Sequence, residues 1–380
     1  MNFPFGSPLY VMAKPASSAC NLACRYCYYL DKAKQYEDTG QRCMTEQLLE
    51  LFTRQYIEAQ TQPYVLFTWH GGEPLLRPLS FYRKALQLQR QYGGGRTIDN
   101  CLQTNGTLLN AEWCQFFKAH HFLIGISIDG PEALHDAYRK TRGGGATWRS
   151  VMRSIELLQR YGVDWNAMAT VNHINADHPA EFYQFFRDIG CQYLQFTPVV
   201  EREGGKMADY NVTPQQWGRF TCTVYDEWVC RDVGSIFVQL FDTTLANWMG
   251  VAPGVCSLSA MCGHSLAMEY NGDVYSCDHF VFPEFYLGNI RQQSLTEMAY
   301  GSKQLQFRQM KTALLPRQCR QCKWLFACHG ECPKNRLSHG VNYLCEGYRQ
   351  FFTHVASDMD FMCEELEAHR APANIMNRGD

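Results

Sequence analysis

The sequence predicts an α/β chain: a partial (β/α)6 barrel, then a cysteine-rich, loop-rich region, then a closing C-terminal helix. Three observations carry this. From Leu9 to about Cys230, short β-rich runs alternate with amphipathic helical runs, the pattern of parallel βα units. After about residue 235 the alternation stops and cysteine density rises. The stretch 347–369 then carries Phe351, Val355, Met359 and Met362 at helical spacing. The expected division is 1–235 for the barrel and 236–380 for the second region.

The strand runs are "LYVMAK" (9–14), "VLFTWH" (65–70), "NCLQTN" (100–105), "FLIGISI" (122–128), "WNAMATV" (165–171) and "YLQFTPV" (193–199). Helices are expected near 45–60, 79–92, 111–119, 147–161, 179–188 and 214–230. Thr45, Asn110 and Thr213 stand where N-caps belong, and Gly162 and Gly190 where helices end. Six units are too few for a full eight-fold barrel. The choice of a partial barrel over a doubly wound sheet rests in part on the resemblance given below. In a parallel barrel, ligand-bearing residues gather at the C-terminal ends of strands. A three-cysteine loop follows the first strand, "HGGEP" follows the second, "QTNG" ends the third and "SIDG" the fourth.

With 46% hydrophobic residues in 380, the chain can bury a barrel-sized core and a smaller domain. Its net charge of −2 is mixed along the chain, with no basic stripe for nucleic acid. No apolar run is long enough to span a membrane, and the first twenty residues lack the pattern of a signal peptide. The expected location is the cytoplasm. Nothing signals an oligomer, and a monomer is expected.

Eighteen cysteines are many for that compartment, where disulfides are rare. Seven are scattered singly and read as small buried hydrophobes. The other eleven are clustered and call for metal. Cys20, Cys24 and Cys27 stand within eight positions. Structural zinc and ordinary iron–sulfur sites take four protein ligands. Three thiolates at this spacing can hold three irons of a [4Fe–4S] cube and leave the fourth to a non-protein ligand. The alternatives are a zinc with a remote fourth ligand and a closed cluster completed by a distant cysteine.

This loop, with Tyr26 before its last cysteine and Gly71-Gly72-Glu73-Pro74 one unit later, resembles the radical S-adenosylmethionine (SAM) superfamily. The resemblance implies that SAM chelates the open iron and is cleaved to a 5′-deoxyadenosyl radical. It further implies SAM contacts at Tyr26, Gly71, Gly72 and Glu73, with Ser127 in "SIDG" for the ribose or carboxylate. Arg139 would pair with the SAM carboxylate, and Leu194 would touch the adenine.

Eight more cysteines stand at 256, 262, 277, 319, 322, 328, 332 and 345. Spacing alone fits two zincs or two iron–sulfur clusters. The array resembles the SPASM extension of radical SAM peptide-modifying enzymes, which carries two auxiliary [4Fe–4S] clusters, giving three clusters in all. The resemblance pairs Cys256, Cys262, Cys277 and Cys332 in one, and Cys319, Cys322, Cys328 and Cys345 in the other. The twelve-residue gap before Cys345 is shorter than the commonest family spacing.

Within that group the chain looks most like the anaerobic sulfatase-maturating enzymes, on "MAKPASSACNLACRYCYY" (12–29), "QTNGTLL" (103–109), "GISIDGP" (125–131) and "NGDVYSCDHFV" (271–281). This implies oxidation of a cysteine or serine in a Cys/Ser-x-Pro-x-Arg motif of a newly made, unfolded sulfatase to Cα-formylglycine. A flavodoxin- or ferredoxin-like protein would supply electrons one at a time. It implies Asp278 as general base, with Tyr29 and His70 as candidate pocket residues. An ordinary Asp and thiol differ by about 4.6 pKa units, so deprotonating a resting thiol costs roughly 6 kcal/mol. Asp278 therefore suits a substrate already acidified by a radical on Cβ. Two alternatives remain at this level: a SPASM maturase making thioether or carbon–carbon crosslinks, and a non-catalytic iron–sulfur or zinc protein. The first often carries a separate N-terminal peptide-binding domain, for which the early Cys20 leaves no room. The second gives no reason for a three-ligand site.

Overall fold

A capping side chain before an amphipathic run starts a helix, and alternating β-branched and aromatic residues make a strand. The chain follows both rules in the computed structural model, which describes residues 9–33, 42–263 and 265–378. Apart from a two-stranded pair at Arg202–Glu203 and Lys206–Met207, the strands in chain order are β1 (Tyr10–Ala13), β2 (Tyr64–Trp69), β3 (Thr97–Thr104), β4 (Leu123–Ser127), β5 (Trp165–Val171), β6 (Tyr193–Pro198), β7 (Phe237–Val238), β8 (Ser265–Met268), β9 (Asp273–Tyr275) and β10 (Tyr286–Asn289). The main helices are α1 (Glu46–Glu58), α2 (Leu79–Tyr92), α3 (Ala111–Ala119), α4 (Trp148–Tyr161), α5 (Pro179–Asp188), α6 (Pro214–Val229), α7 (Gln239–Trp248) and α8 (Cys345–Glu367). They fall into two compact units: Met1–Ile126 with Lys140–Trp165 and Gly263–Gln309, and Ser127–Arg139 with Asn166–Cys262 and Met310–Asp380.

In the first unit β1, β2, β3 and β4 pair in parallel. Val65, Phe67 and Trp69 alternate inward from β2, and α1 lays Phe52 and Tyr56 against them, with Phe52 edge-on to Phe67 at 5.7 Å. Each such ring contributes about 1.5–3 kcal/mol by leaving water. Thr45 and Asn110 cap α1 and α3 by accepting the Leu48 and Trp113 amides, and α4 stops at Gly162, φ 63°. On the other side of β1, β8 pairs in parallel, aligning Ala13 with Met268, and β9 and β10 continue antiparallel. Residues 263–309 thus cluster with the N-terminal strands, whereas the sequence reading drew its boundary near 235. These three strands span only three or four residues each, too few for periodicity to reveal, and that segment is less loop-rich than expected.

In the second unit β5 and β6 are parallel and β7 adds beside β6. Thr213 and Gln216 close a reciprocal capping box on α6. α8 buries the four residues expected of it, begins at Cys345, and packs Tyr348 on Trp217 and Phe351 on Phe241, both at 5.8 Å. α6 and α8 meet through glycine. A Cβ on Gly347 would lie 2.4 Å from the Pro214 carbonyl oxygen, and one on Gly218 3.1 Å from Gly347 Cα. Among the described residues no helix is long and apolar enough to cross a membrane.

Candidate active site

The chain leaves β1 into a loop that carries Cys20, Cys24 and Cys27. Cys20 Sγ accepts hydrogen bonds from the Leu22 amide at 3.3 Å and from Asn105 Nδ2 at 3.6 Å. Asn105 belongs to "QTNG" at the end of β3, and its Nδ2 also holds Asn21 Oδ1 at 2.9 Å. Three thiolates on one loop, one of them already receiving N–H donors, suit an iron–sulfur cluster, whose sulfurs take such bonds.

Gly71 and Gly72 permit a close approach, and what approaches is the backbone of this cysteine loop. Gly72 N donates to Ser17 O and Glu73 N to Ala19 O, both at 2.8 Å. A Cβ on Gly72 would sit 2.2 Å from Ala19 O. Gly71, at φ +116°, would place one 2.5 Å from Ser17 O. Glu73 is wholly buried and both its oxygens are engaged by protein: Leu75 N at 2.9 Å, Thr104 Oγ1 at 2.8 Å and Asn105 N at 2.8 Å. Burial pushes its carboxyl up to about 7, against the pull of those donors. The segment that the resemblance assigns to SAM thus clamps the cysteine loop to the end of β3.

Asp278 follows Cys277 and is buried. Its Oδ2 accepts Tyr28 OH at 2.5 Å and Tyr29 OH at 2.7 Å. Its Oδ1 is ion-paired with Lys14 Nζ at 2.6 Å. Lys32 donates to its backbone carbonyl and stands 4.1 Å over the Tyr28 ring. Lys14 is fully buried and also donates to Glu269 Oε1 at 2.9 Å, while Ser17 Oγ holds Glu269 Oε2. Register explains the pair, since Ala13 faces Met268 and the next residue on each strand is Lys14 or Glu269. Burial alone would push the Asp278 carboxyl up; the charges of Lys14 and Lys32, with His70 and His279, outweigh it and hold it well below the usual range. Burial likewise opposes the Lys14 charge, and Asp278 and Glu269 overcome it, raising its pKa. Two lysines thus face two carboxylates.

Tyr29 and His70 come together as candidate pocket residues: Tyr29 OH lies 3.1 Å from His70 Nδ1. That nitrogen also accepts the Gly71 amide at 2.8 Å, which places the ring proton on Nε2. Burial lowers the His70 pKa. Tyr26 is buried in the cysteine loop.

In the second unit Arg139 is braced by protein. Its Nε meets Asp129 Oδ2 at 2.9 Å and its Nη2 meets Thr170 Oγ1 at 3.1 Å, while Asp129 Oδ1 holds the Thr170 amide and hydroxyl. Ser127 is half-buried at the end of β4, and Leu194 is buried in β6. Cys319, Cys322, Cys328 and Cys345 line one cavity of about 570 Å³, floored by Trp324 and Tyr348. Cys345 is the first residue of a 23-residue helix, and burial pushes its thiol up. Cys256, Cys262 and Cys332 surround buried Lys311, whose Nζ donates to the carbonyls of Cys256 and Ser257 at 2.6 and 2.7 Å. Cys277, the fourth member of that group by resemblance, lies in the first unit.

A family model of the radical SAM superfamily matches residues 15–186, and one of the iron-sulfur cluster-binding SPASM domain matches 260–323. The chain is 56% identical, over 98% of its own length and 95% of the relative's, to the serine-type anaerobic sulfatase-maturating enzyme of Bacteroides thetaiotaomicron. The chain belongs to the anaerobic sulfatase-maturating enzymes. It is therefore a radical SAM enzyme, and its cofactors are SAM and [4Fe–4S] clusters. The cysteine-type enzyme of Clostridium perfringens strain 13 is 31% identical over 91% of this chain and 95% of its own. The mixed α/β fold matches native anSMEcpe with bound AdoMet and Cp18Cys peptide at a TM-score of 0.85 and 30% identity, covering 94% of this chain and 99% of that one.

The sequence reading missed Lys14, Tyr28, Lys32, Glu269 and Asn105. Lys14 carried a usable signal: a charge directly after an apolar strand, at the barrel end where ligands gather. Glu269 did not, because its strand was not recognised.

Proposed function

We propose that this chain oxidises a seryl residue in a Ser-x-Pro-x-Arg motif of a newly made sulfatase to Cα-formylglycine. The observation that carries this is Asp278, a buried carboxylate directly after Cys277, gripped by Tyr28, Tyr29 and Lys14. The serine preference is supported by 56% identity to a serine-type relative against 31% to a cysteine-type one.

In this reading Cys20, Cys24 and Cys27 hold the SAM-binding cluster, Tyr26, Gly71, Gly72, Glu73, Ser127, Arg139 and Leu194 contact SAM, and the eight rear cysteines hold two auxiliary clusters in the pairing given above. When bound, these groups supply the radical that takes the Cβ hydrogen and a route for the departing electron. Asp278 takes the hydroxyl proton of the substrate once Cβ bears the radical. Its depressed pKa keeps it ionised and widens the gap to a resting hydroxyl, so it leaves unactivated serine alone. Tyr29 and His70 line the substrate pocket. The enzyme works in the cytoplasm as a monomer, on an unfolded polypeptide, with a flavodoxin- or ferredoxin-like donor.

The test is an oxygen-free assay of the reconstituted enzyme with SAM, reductant and a peptide of about twenty residues carrying Ser-x-Pro-x-Arg. Wild type is expected to yield the aldehyde in step with 5′-deoxyadenosine. In Asp278→Asn, deoxyadenosine should persist while aldehyde falls roughly 10²–10⁴-fold, the usual range for a lost general base. Deoxyadenosine without aldehyde from the wild type would refute the substrate.

A further inference from the structure

Asn105 directly follows β3 and is buried, and its backbone amide is tied to Glu73 Oε2 at 2.8 Å. Its side-chain amide can stand only one way round. The Thr107 backbone N–H, which can only donate, reaches Asn105 Oδ1 at 3.0 Å. The NH₂ end therefore faces Cys20, with Nδ2 3.6 Å from Sγ. Its other proton goes to Asn21 Oδ1 at 2.9 Å. Asn21 Nδ2 donates to Thr107 Oγ1 at 2.8 Å, and that hydroxyl donates to Asn105 Oδ1 at 2.7 Å. Three side chains thus close a ring in which every donor points the same way round, and such bonds reinforce one another.

The ring changes what the Cys20 sulfur meets. Asn21 Oδ1 lies 3.9 Å from Sγ, and a bare carbonyl oxygen there would repel a thiolate. Asn105 takes up that oxygen and offers the sulfur an N–H instead. The Leu22 amide supplies another donor at 3.3 Å, but from the backbone, so any residue except proline at position 22 would provide it. The Asn105 bond belongs to one side chain, 85 positions away from Cys20. Asn105 has no task in the function proposed above.

We propose that Asn105 is a positioning residue that raises the reduction potential of the first cluster, by aiming an N–H at Cys20 Sγ from a ring locked by Asn21 and Thr107. An electron added to a [4Fe–4S] cluster increases the negative charge on its sulfurs. An N–H donor stabilises that form more than the oxidised one, because the bond is charge-assisted. The electron comes from the flavodoxin- or ferredoxin-like donor, with no bond broken and no proton moved. Asn105 thereby makes the cluster easier for that donor to reduce. The inference rests on Cys20, Cys24 and Cys27 holding the SAM-binding cluster.

The experiment is a redox titration of the reconstituted holoenzyme with titanium(III) citrate, followed by electron paramagnetic resonance. The first cluster is the signal that changes when SAM is added. Asn105→Leu removes the donor, so at a fixed potential the ratio of reduced to oxidised first cluster should fall about tenfold, a midpoint about 59 mV lower. Thr107→Val keeps the backbone donor that orients Asn105 but opens the ring, and should move the ratio the same way by about threefold. Thr107→Ser keeps the hydroxyl and should hold the wild-type midpoint; a shift as large as that of Thr107→Val would overturn the ring. An unchanged or raised midpoint in Asn105→Leu overturns the role of Asn105. If that variant does not load, an unchanged midpoint in Thr107→Val overturns it. An equal shift in all three clusters also overturns it, since a general loosening of the chain would produce that. Cys20→Ala should abolish the SAM-responsive signal. Its survival would overturn the ligand reading instead, so the two failures are separable.

Discussion

Gly72→Ala is expected to unseat the first cluster while leaving the rest of the chain folded. The backbone at Gly72 is not left-handed, so alanine meets no torsional objection there and the whole effect is contact. The new Cβ would lie 2.2 Å from Ala19 O and 2.5 Å from Ser18 O. Carbon and oxygen need a little over 3 Å, so the loop must retreat by about 1 Å. Neither oxygen sits on a flexible side chain; both belong to the peptide leading into Cys20. The Glu73 amide also bonds to Ala19 O at 2.8 Å, so a retreat stretches that tie as well. Such overpacking costs about 1–3 kcal/mol, and a misplacement of about 1 Å at a reacting centre costs about 100-fold in rate. The assay is oxygen-free reconstitution, with iron and sulfide counted per chain and deoxyadenosine followed after reduction. Expected is loss of one cluster's iron, or its retention with deoxyadenosine cut roughly 100-fold. Full loading and wild-type deoxyadenosine formation would refute the view that these glycines exist to let two backbones touch.

Other expectations follow from the same geometry. Glu73, with its pKa raised to about 7 against an unfolded value near 4.5, adds stability that is full below about pH 4.5 and is lost as pH rises through 7. The loss is about 3 kcal/mol and should be missing in Glu73→Gln, as read by thermal midpoints of the anaerobic holoprotein from pH 5 to 8. Equal pH slopes would sink that account. Arg139→Gln strands buried Asp129 and should cost about 3–5 kcal/mol, mostly recovered by adding Asp129→Asn; stability unchanged in the single variant would contradict the brace. Thr213→Ala removes the α6 cap and should cost about 1 kcal/mol in chemical denaturation. Cys345→Ala should lose one cluster's iron and keep SAM cleavage, which a count of iron against deoxyadenosine checks.

Much of the fold was legible because local chemistry set it. The strand read at 165–171 forms over those residues, and Thr45, Asn110 and Thr213 cap the helices they precede. The cysteine loop was legible too, since its spacing is short-range. The environment of Asp278 was not. Lys14 and Glu269 are 255 positions apart, and only the register of β1 on β8 makes them neighbours. A four-residue strand such as β8 carries no period that could have announced it. The sign of the Asp278 shift was hidden for the same reason: burial alone points upward, and the two lysines that reverse it come from distant stretches. Glu73 shows the converse. Its motif stands out in the sequence, but the side chain is turned to three protein donors, which only the path of β3 reveals.

The glycine contact between α6 and α8 has a consequence for transplanting this region. Gly347 stands two residues after Cys345, so this contact between the two helices lies within one helical turn of a cysteine that lines the rear cavity. Gly218, over a hundred residues upstream, therefore helps to set where that sulfur sits. A chimaera that moved residues 310–378 onto a foreign barrel would carry every rear cysteine of that cavity. It would still need a glycine at the matching point of the host's helix, or Cys345 would stand a methyl group's thickness too far out.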